Sequence, residues 1–560
     1  MSKRIALLCG SSLGDLREFL ELLLLEQGID PTFFEGDYNR YYEEACFSQE
    51  LAAFKPDIIY FHTTWHNVEN RPEYTDSIEK AEEKFQQETK RLRHMWRTCQ
   101  KNTGAVIIQN NFDRPDIRPM GHADFTNEKS LTRFAARLNE DMALFAQSER
   151  GFYVHDIDYL SAKIGLSNWY WPKYMLLYKL AVSPDALPEL AKSVAGLITS
   201  ILGQRKKVLV TDLDNTLWGG IVGDDGADGI VIGQDTPKGE AFCAYQTYLK
   251  QLAQTGVLLC VASKNEEQAA ISGFSAKGMV LTLSDFASVK ANWNPKPDNI
   301  RQIARELNLG LDSFVFVDDN PAEREIVRTM LPEVTVIEAD KPEQFVEALN
   351  SGGYFELAAL SEEDTKRGEL YRQNARRESE KDSFSDYTDY LLSLDMKGYF
   401  SGVNEKNAER LAQMAGKTNQ FNLTTLRLSQ GEILSYNQPD RLGLCARLTD
   451  KFGDNGIVTL LLGSCSEDTL TIDLWLMSCR VFSRHLEWAV FDRLVAYCKG
   501  NNIQTITGRY IKTAKNQPVT NLYESLGFVH MSGPTEDSIR RFDATQPYEN
   551  KNKVIEIFEE

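Results

Sequence analysis

The stretch Val208-Leu-Val-Thr-Asp-Leu-Asp-Asn-Thr-Leu-Trp218 decides how the rest of the chain is read. A short apolar run stops abruptly at Asp212, Leu213, Asp214, Asn215 and Thr216. Such a run reads as a buried strand, and its end sets two carboxylates where a parallel sheet opens into a crevice. The pair reads as the catalytic centre of the chain, with the flanking segments delivering something to it.

Three further pieces converge on this one. Gly256-Val-Leu-Leu-Cys-Val-Ala262 is a strand ending in Ser263, Lys264 and Asn265. Asn294-Pro-Lys296-Pro-Asp298 opens a helix that runs to Leu307, and Ser313-Phe-Val-Phe-Val317 is a strand ending in Asp318, Asp319 and Asn320. Strands alternating with helices predict a mostly parallel sheet whose polar strand tips share one edge. In this order and spacing the four pieces closely resemble the motifs of the haloacid dehalogenase (HAD) phosphohydrolase superfamily.

The physical logic agrees with that resemblance. A phosphoryl group repels a carboxylate nucleophile until a divalent cation and a lysine neutralise its charge. Asp212 is then the nucleophile and Asp214 the acid that protonates the leaving oxygen, and later the base that activates water. Asp318 and Asp319, with Asp212 and the Asp214 carbonyl, supply oxygen ligands of the kind Mg²⁺ takes. Ser263 and Asn265 hydrogen-bond a phosphoryl oxygen, and Lys296 pins it, with Lys290 as the rival for that role. A bare strand-end turn is the competing reading of Asp212 and Asp214. Lys264 and Glu266 read as a solvated helix start, and Trp218-Gly219-Gly220 as the start of a flap. Neither the segment from Thr216 to Ser263 nor that from Asn265 to Lys296 leaves room for a cap domain. The site is therefore expected to be open, suited to a large or carrier-borne substrate or to closure by another domain.

Outward from this centre the chain divides into an α/β domain over 1–180, a helical connector over 181–204 and the central domain over 205–345. A charged helical linker over 346–390, an α+β domain over 391–545 and a peripheral tail over 546–560 complete it. The first domain resembles the SGNH hydrolase fold, with Gly10-Ser11 as nucleophile turn and Asn110 as oxyanion donor. The Asp-x-x-His that would activate the serine is missing, so a non-hydrolytic role is expected. Its aromatic cluster Trp169, Tyr170, Trp171, Tyr174 and Tyr178 reads as packing. Ser361-Glu-Glu-Asp364 reads as a helix cap, and the charges after it as a solvated face. The expected fold class is thus multidomain α/β, a Rossmann-like HAD core between an SGNH-like and a GNAT-like domain.

The first motif continues as Asp212-Leu-Asp-Asn-Thr-Leu-Trp-Gly-Gly-Ile-Val-Gly-Asp224. Together with Leu307 to Arg324, Thr418 to Thr425, Asp450 to Val458 and Ser478 to Arg484, it is similar to the FkbH-like proteins, HAD subfamily IIIC. That resemblance implies a reaction. The glyceryl group of 1,3-bisphosphoglycerate loses phosphate and is loaded onto the phosphopantetheine thiol of an acyl carrier protein, feeding polyketide and related pathways. Asn521-Leu-Tyr-Glu-Ser-Leu-Gly-Phe528 resembles the last helix and strand of the N-acetyltransferase (GNAT) fold. Arg480 to Arg484 would then stand where that fold holds a pantetheine pyrophosphate, although Phe482-Ser483 replaces the usual Leu-Gly. Cys479, beside Arg480 at a strand-to-helix turn, is the candidate to carry the acyl group as a thioester, because a cation and a helix N-terminus lower a thiol pKa. The competing readings are a buried free cysteine and, for the whole chain, a capless phosphatase on another phosphorylated metabolite with flanking domains used for binding.

Composition narrows the classes. A formal net charge of −19 argues against non-specific nucleic-acid binding, which needs a basic face. No uncharged apolar run is long enough to span a membrane, and Met1 to Gly10 reads as a first strand rather than a signal peptide. Nine cysteines without a C-x-x-C pair indicate neither a zinc site nor a disulfide framework. A cytoplasmic protein with free thiols is expected.

Overall fold

The computed structural model describes residues 1–360, 364–365, 367–371, 373, 377, 384, 386–513 and 515–560, without the side chains of Lys417 and Cys479. It divides into two compact units, 1–201 with 356–359 and 202–355 with 360–560. Ser361 to Glu363, read as a helix cap, lies outside the described residues.

The first unit is a parallel sheet of β1 (Ser2–Cys9), β2 (Asp30–Glu35), β3 (Ile58–His62), β4 (Val106–Asn110) and β5 (Phe152–His155), in the order β2-β1-β3-β4-β5. The helices Ile78–Thr103 and Leu131–Ser148 start where Ser77 and Ser130 accept a backbone N–H from the first turn. The helix Leu187–Ile201, read from sequence as a connector, packs on Leu16–Glu26 inside this unit.

The second unit opens with β6 (Val208–Thr211), β7 (Leu258–Ser263), β8 (Phe286–Ala291), β9 (Phe314–Val317) and β10 (Thr335–Val336), all parallel, in the order β10-β9-β6-β7-β8. The central strands β6, β7 and β9 are apolar up to their last residues because both faces are covered. Leu209, Val261 and Val315 face Tyr245 and Leu249 on one side. Val208, Val210, Cys260 and Phe316 face Ile300 and Ile303 on the other. Each fully buried aliphatic side chain contributes roughly 1.5–3 kcal/mol, so this sandwich fixes β6 in the middle. The helix Pro237–Gln254 begins at Thr236, whose hydroxyl accepts from the Gly239 N–H at 3.0 Å.

The rest of this unit is a largely antiparallel sheet with helices packed on it. Its strands are β11 (Met396–Gly402), β12 (Phe421–Asn422), β13 (Arg441–Asp450), β14 (Gly453–Ser466), β15 (Thr469–Met477), β16 (Thr505–Ile511), β17 (Val529–Ser532), β18 (Asp537–Asp543) and β19 (Ile555–Glu559). The order is β17-β18-β16-β15-β14-β13-β11-β19, with β12 against β15; β15 with β16 and β11 with β19 are parallel. Two expectations change here. The tail was expected to be peripheral, yet β19 extends the sheet and buries Val554 and Ile555. The charged linker was expected to be a solvated face, yet its Asp364 is buried against Arg205 at 2.9 Å and its Arg377 against Asp450 at 2.7 Å. Among the described residues no helix is long and apolar enough to cross a membrane.

Candidate active site

Register builds the site. Thr211 pairs with Val261 of β7 and with Val317 of β9. The next residues, Asp212, Ala262 and Asp318, therefore leave the sheet at one level, with Ser263 a step beyond. The Asp212 N–H donates to the Val317 carbonyl at 3.0 Å. The chain then reverses through Asn215 at φ +56°, a left-handed conformation asparagine tolerates, and the Asn215 side-chain oxygen accepts from the Gly220 N–H at 3.0 Å.

Lys296 is the first residue of the helix Lys296–Leu307, following Pro295, so its short path from the helix start aims it inward. Its ammonium is buried, 2.9 Å from Asp212 Oδ2, and also bonds Asp318 Oδ2. Burial works to lower the Lys296 pKa, but the two carboxylates outweigh it and the net shift is upward. Asp318 is pushed up to about 7, by burial first and by Asp212 second, against Lys296 and the Asn320 N–H. Asp319 is raised by burial, although the Thr216 hydroxyl donates to it at 3.1 Å.

Asp214 is held on both oxygens. The Trp218 indole N–H (2.9 Å) and the Val222 N–H (3.1 Å) donate to Oδ1, and Asn265 Nδ2 (2.8 Å) donates to Oδ2. These donors favour the carboxylate, yet burial, aided by the Asp212 charge, raises its pKa. Trp218 was read as a flap start; it is fully buried and orients Asp214. Asn265, expected on a phosphoryl oxygen, gives an N–H to Asp214. The flap itself is Gly219 paired with Val231 around the short helix Val222–Asp225.

Asp212, Asp318 and Asp319 offer carboxylate oxygens all within 4.8 Å of one another. Asp212 Oδ1 is buried and has no hydrogen-bond partner among the described residues. An all-oxygen donor set with one orphaned carboxylate oxygen fits a hard divalent cation such as Mg²⁺. Ser263 is buried at the end of β7. Lys264 pairs with Glu323 at 2.6 Å, and Lys290, the rival to Lys296, pairs with Glu306 at 2.6 Å. Sequence reading missed Arg324, buried on the helix Pro321–Met330, whose guanidinium donates to the Asp318 (2.8 Å) and Asp319 (2.9 Å) carbonyls. Its position six residues after Asp318 on the following helix was the available signal.

The remaining candidates lie apart from this cluster. Cys479 falls in the single turn Cys479–Val481, and its side chain is outside the described residues. The following helix begins only at Leu486, after Ser483 and His485 at positive φ, so Cys479 is not in its first turn and the helix-dipole argument for that thiol falls. The Arg480 Nε donates to Ser478 Oγ at 3.1 Å, and the Arg480 carbonyl accepts from Arg484 at 2.8 Å. In the first unit the Ser11 hydroxyl is buried without a partner among the described residues. Asn110, the expected oxyanion donor, uses its side-chain oxygen on the Thr63 N–H at 2.9 Å and its amide on the Thr63 carbonyl. Trp169 is core, bonded to Asp113 at 2.9 Å, whereas Trp171 and Tyr178, expected to pack, are exposed.

The fold and this cluster define a HAD-type phosphohydrolase. A family model for the FkbH N-terminal domain matches residues 4–199. The N-terminal part of the protein BF1531 from Bacteroides fragilis, containing a phosphatase domain and solved in complex with Mg, is similar at 30% identity; the match covers 64% of this chain and 95% of that one with a TM-score of 0.58. The chain belongs to the FkbH-like family. The ribosomal-protein-S18-alanine N-acetyltransferase of Escherichia coli matches at 17% identity over 28% of this chain and 99% of that one, with a TM-score of 0.22. A GNAT-family acetyltransferase of Desulfovibrio desulfuricans matches at 14% identity over 26% of this chain and 99% of that one, with a TM-score of 0.23. No curated protein matches the chain.

Proposed function

We propose that the chain removes phosphate from a small phosphorylated acyl donor and passes the acyl unit to an acyl carrier protein, the donor being 1,3-bisphosphoglycerate. The observation that carries the phosphoryl half is the buried cluster of Asp212, Asp318 and Asp319 with Lys296 across it. Asp212, Asp318, Asp319 and the Asp214 carbonyl would hold Mg²⁺, which when bound neutralises phosphoryl charge. An Asp212 oxygen attacks phosphorus as the bond to the leaving ester oxygen breaks, and Asp214 gives that oxygen its proton. Asp214, now a carboxylate, takes a proton from water whose oxygen attacks the aspartyl phosphate; phosphate leaves and Asp212 is restored. Trp218, Val222 and Asn265 keep Asp214 aimed through both steps. Lys296 offsets charge on the phosphoryl oxygens.

The acyl half is supported by family membership and by the Cys479-Arg480 sequence. The Cys479 thiolate would displace phosphate from the acyl phosphate carbon, and the carrier thiol would then displace Cys479. The test is incubation with 1,3-bisphosphoglycerate, Mg²⁺ and holo carrier protein, reading released phosphate and the intact mass of enzyme and carrier. A glyceryl adduct on the carrier with release of both the ester and the acyl phosphate is expected; D212N should release only the acyl phosphate and leave a phosphoglyceryl adduct, and C479A should release the ester phosphate and give no adduct. Phosphate release with no adduct on either protein reduces the chain to a capless phosphatase with binding domains; an unchanged adduct in C479A removes Cys479 from the transfer.

A further inference from the structure

The stretches Thr418 to Thr425, Asp450 to Val458 and Ser478 to Arg484 have no part in the carboxylate cluster, yet the fold brings all three to the end of β15. The strand β12, within the first stretch, pairs with Leu476 and Met477. The Ser478 N–H donates to the Val458 carbonyl at 2.7 Å. Asp450 in turn pairs with Arg484.

Asp450 is the fixed point of this meeting. Its carboxylate is fully buried and accepts on both oxygens. Arg377 (2.7 Å), the Phe452 N–H (2.9 Å) and the Gly453 N–H (3.2 Å) donate to Oδ1, and Arg484 Nη1 (2.9 Å) and Asn455 Nδ2 (3.3 Å) donate to Oδ2. Arg484 carries that anchor to the turn, because its Nη2 donates to the Arg480 carbonyl at 2.8 Å. A second hold comes from the helix Tyr387–Ser393, whose Tyr387 hydroxyl donates to the Ser483 carbonyl at 2.6 Å.

The backbone at these holds is strained. Ser483 (φ +61°) and His485 (φ +60°) both occupy the left-handed region, where a side chain costs free energy that glycine would not. Such residues persist only where their surroundings over-determine them, and they gather at functional sites. Here a buried carboxylate and a tyrosine hydroxyl fix the path of the chain from Cys479 to His485.

We propose that Asp450, acting through Arg484, and Tyr387, acting through the Ser483 carbonyl, are positioning residues that hold the Cys479–Arg480 turn in shape for acyl transfer. The proposal rests on the reading of Cys479 as the acyl-bearing thiol. It makes the segment before β11, which supplies Arg377 and Tyr387, part of the transfer apparatus. A turn freed from either hold would let the thiol and its neighbouring cation drift apart, and the thiol pKa would rise.

The test uses the full chain as wild type, Y387F and D450N, with two readouts. One is glyceryl adduct formation on the holo carrier protein; the other is alkylation of Cys479 by iodoacetamide as a function of pH, followed by peptide mass. Y387F removes one oxygen from an exposed side chain, so its unfolding midpoint and its ester-phosphate release at Asp212 should match wild type. Its kcat for adduct formation should fall by about tenfold at unchanged KM, and its alkylation midpoint should rise by about half a pH unit or more. D450N, where it folds, should move both further. Wild-type transfer with an unmoved midpoint in Y387F overturns the proposal, as does a loss of stability with neither change. If C479A still forms the adduct, Cys479 loses its role, and the Y387F midpoint alone then decides: raised, it supports the hold on the turn; unmoved, it overturns it.

Discussion

Replacing Lys296 with methionine tests the charge balance on which the site is built. The ammonium lies 2.9 Å from Asp212 and also contacts Asp318, with the lysine and Asp318 side chains almost fully buried. At an effective dielectric of 20 a contact at this range has a gross Coulomb value of about 6 kcal/mol, most of it offset by desolvation. Removing one partner of such a pair strands the other and costs about 3–5 kcal/mol. The loss is expected in the second unit, measured by scanning calorimetry and urea unfolding in EDTA at pH 8. The pH dependence supplies a second reading. Asp318 titrates near 7 in the folded chain, above its unfolded value, so its ionised form opposes folding above that pH and the penalty is relieved as pH falls from 7 toward 4. Between pH 8 and pH 6 wild type should gain about 1.4 kcal/mol from this residue. K296M should gain more, since only the Asn320 N–H then opposes the raised pKa. Saturating Mg²⁺ should return part of the lost stability, about 2.7 kcal/mol at a hundredfold excess over Kd. A K296M protein as stable as wild type at pH 8 without metal would refute this reasoning.

Three further outcomes follow from the geometry. W218F removes the indole donor to Asp214 and leaves a small void beside Gly273; kcat should fall by about tenfold at unchanged KM, since a hydrogen bond to a charged group contributes roughly 1.5–3 kcal/mol. Because that donor favours the carboxylate, the limb of the pH–rate profile set by protonated Asp214 should move to higher pH; an unmoved limb removes Trp218 from the mechanism. In the first unit His62 and His155 are buried and held neutral, with pKa values lowered to about 4 and about 3 by burial. The unfolded chain binds those protons first, so stability is complete above about pH 6.5 and is lost as pH falls, by about 2 kcal/mol per histidine at pH 5. Asp113, raised to about 6 by burial, regains about 1.4 kcal/mol over the same range, so these three groups together lose about 2–3 kcal/mol, to which His66, also lowered to about 4, adds, and calorimetry at pH 5 and 7.5 should resolve the loss. Deleting residues 554–560 removes β19 with the buried Val554 and Ile555, and should lower stability by about 2–4 kcal/mol; an unchanged unfolding midpoint would make the strand dispensable.

What the sequence made legible was what is local. The uninterrupted apolar runs of β6, β7 and β9 could only be strands buried on both faces, and their ends could only place Asp212, Ser263 and Asp318 together. Pro295, Pro297, Pro321 and Asn320 marked helix starts beside those ends. What stayed hidden depends on a chain that doubles back or on partners far away. Trp218 reaches Asp214 because Asn215 turns the chain left-handed, which composition does not announce. The tail's β19 has a few apolar residues in polar surroundings, and its partner β11 lies about 160 positions earlier, so no local pattern exposes it. Cys479 reads as a strand-to-helix turn because the strand before it ends at Ser478 and the helical apolar repeat starts at His485. Ser483 and His485 at positive φ break the backbone before the helix begins.

The cluster is not arranged for the stability of the empty chain. Asp212 uses Oδ2 on Lys296 and leaves Oδ1 buried with no partner among the described residues, a cost of about 1–3 kcal/mol for such an atom. Asp318 is so buried, with Asp212 beside it, that its proton leaves only near neutrality. Asp214 is raised by burial while three donors pull the other way. Each of these conflicts is relieved by a different event of phosphoryl transfer. In the proposed mechanism a bound cation would satisfy Asp212 and Asp318, attack on phosphorus would remove the Asp212 charge, and loss of the Asp214 proton would return that group to the form its donors prefer. The sheet holds the conflict in place because β6, buried on both faces between β7 and β9, cannot shift to ease it. The same packing that made the strand legible in the sequence therefore keeps its two aspartates poised.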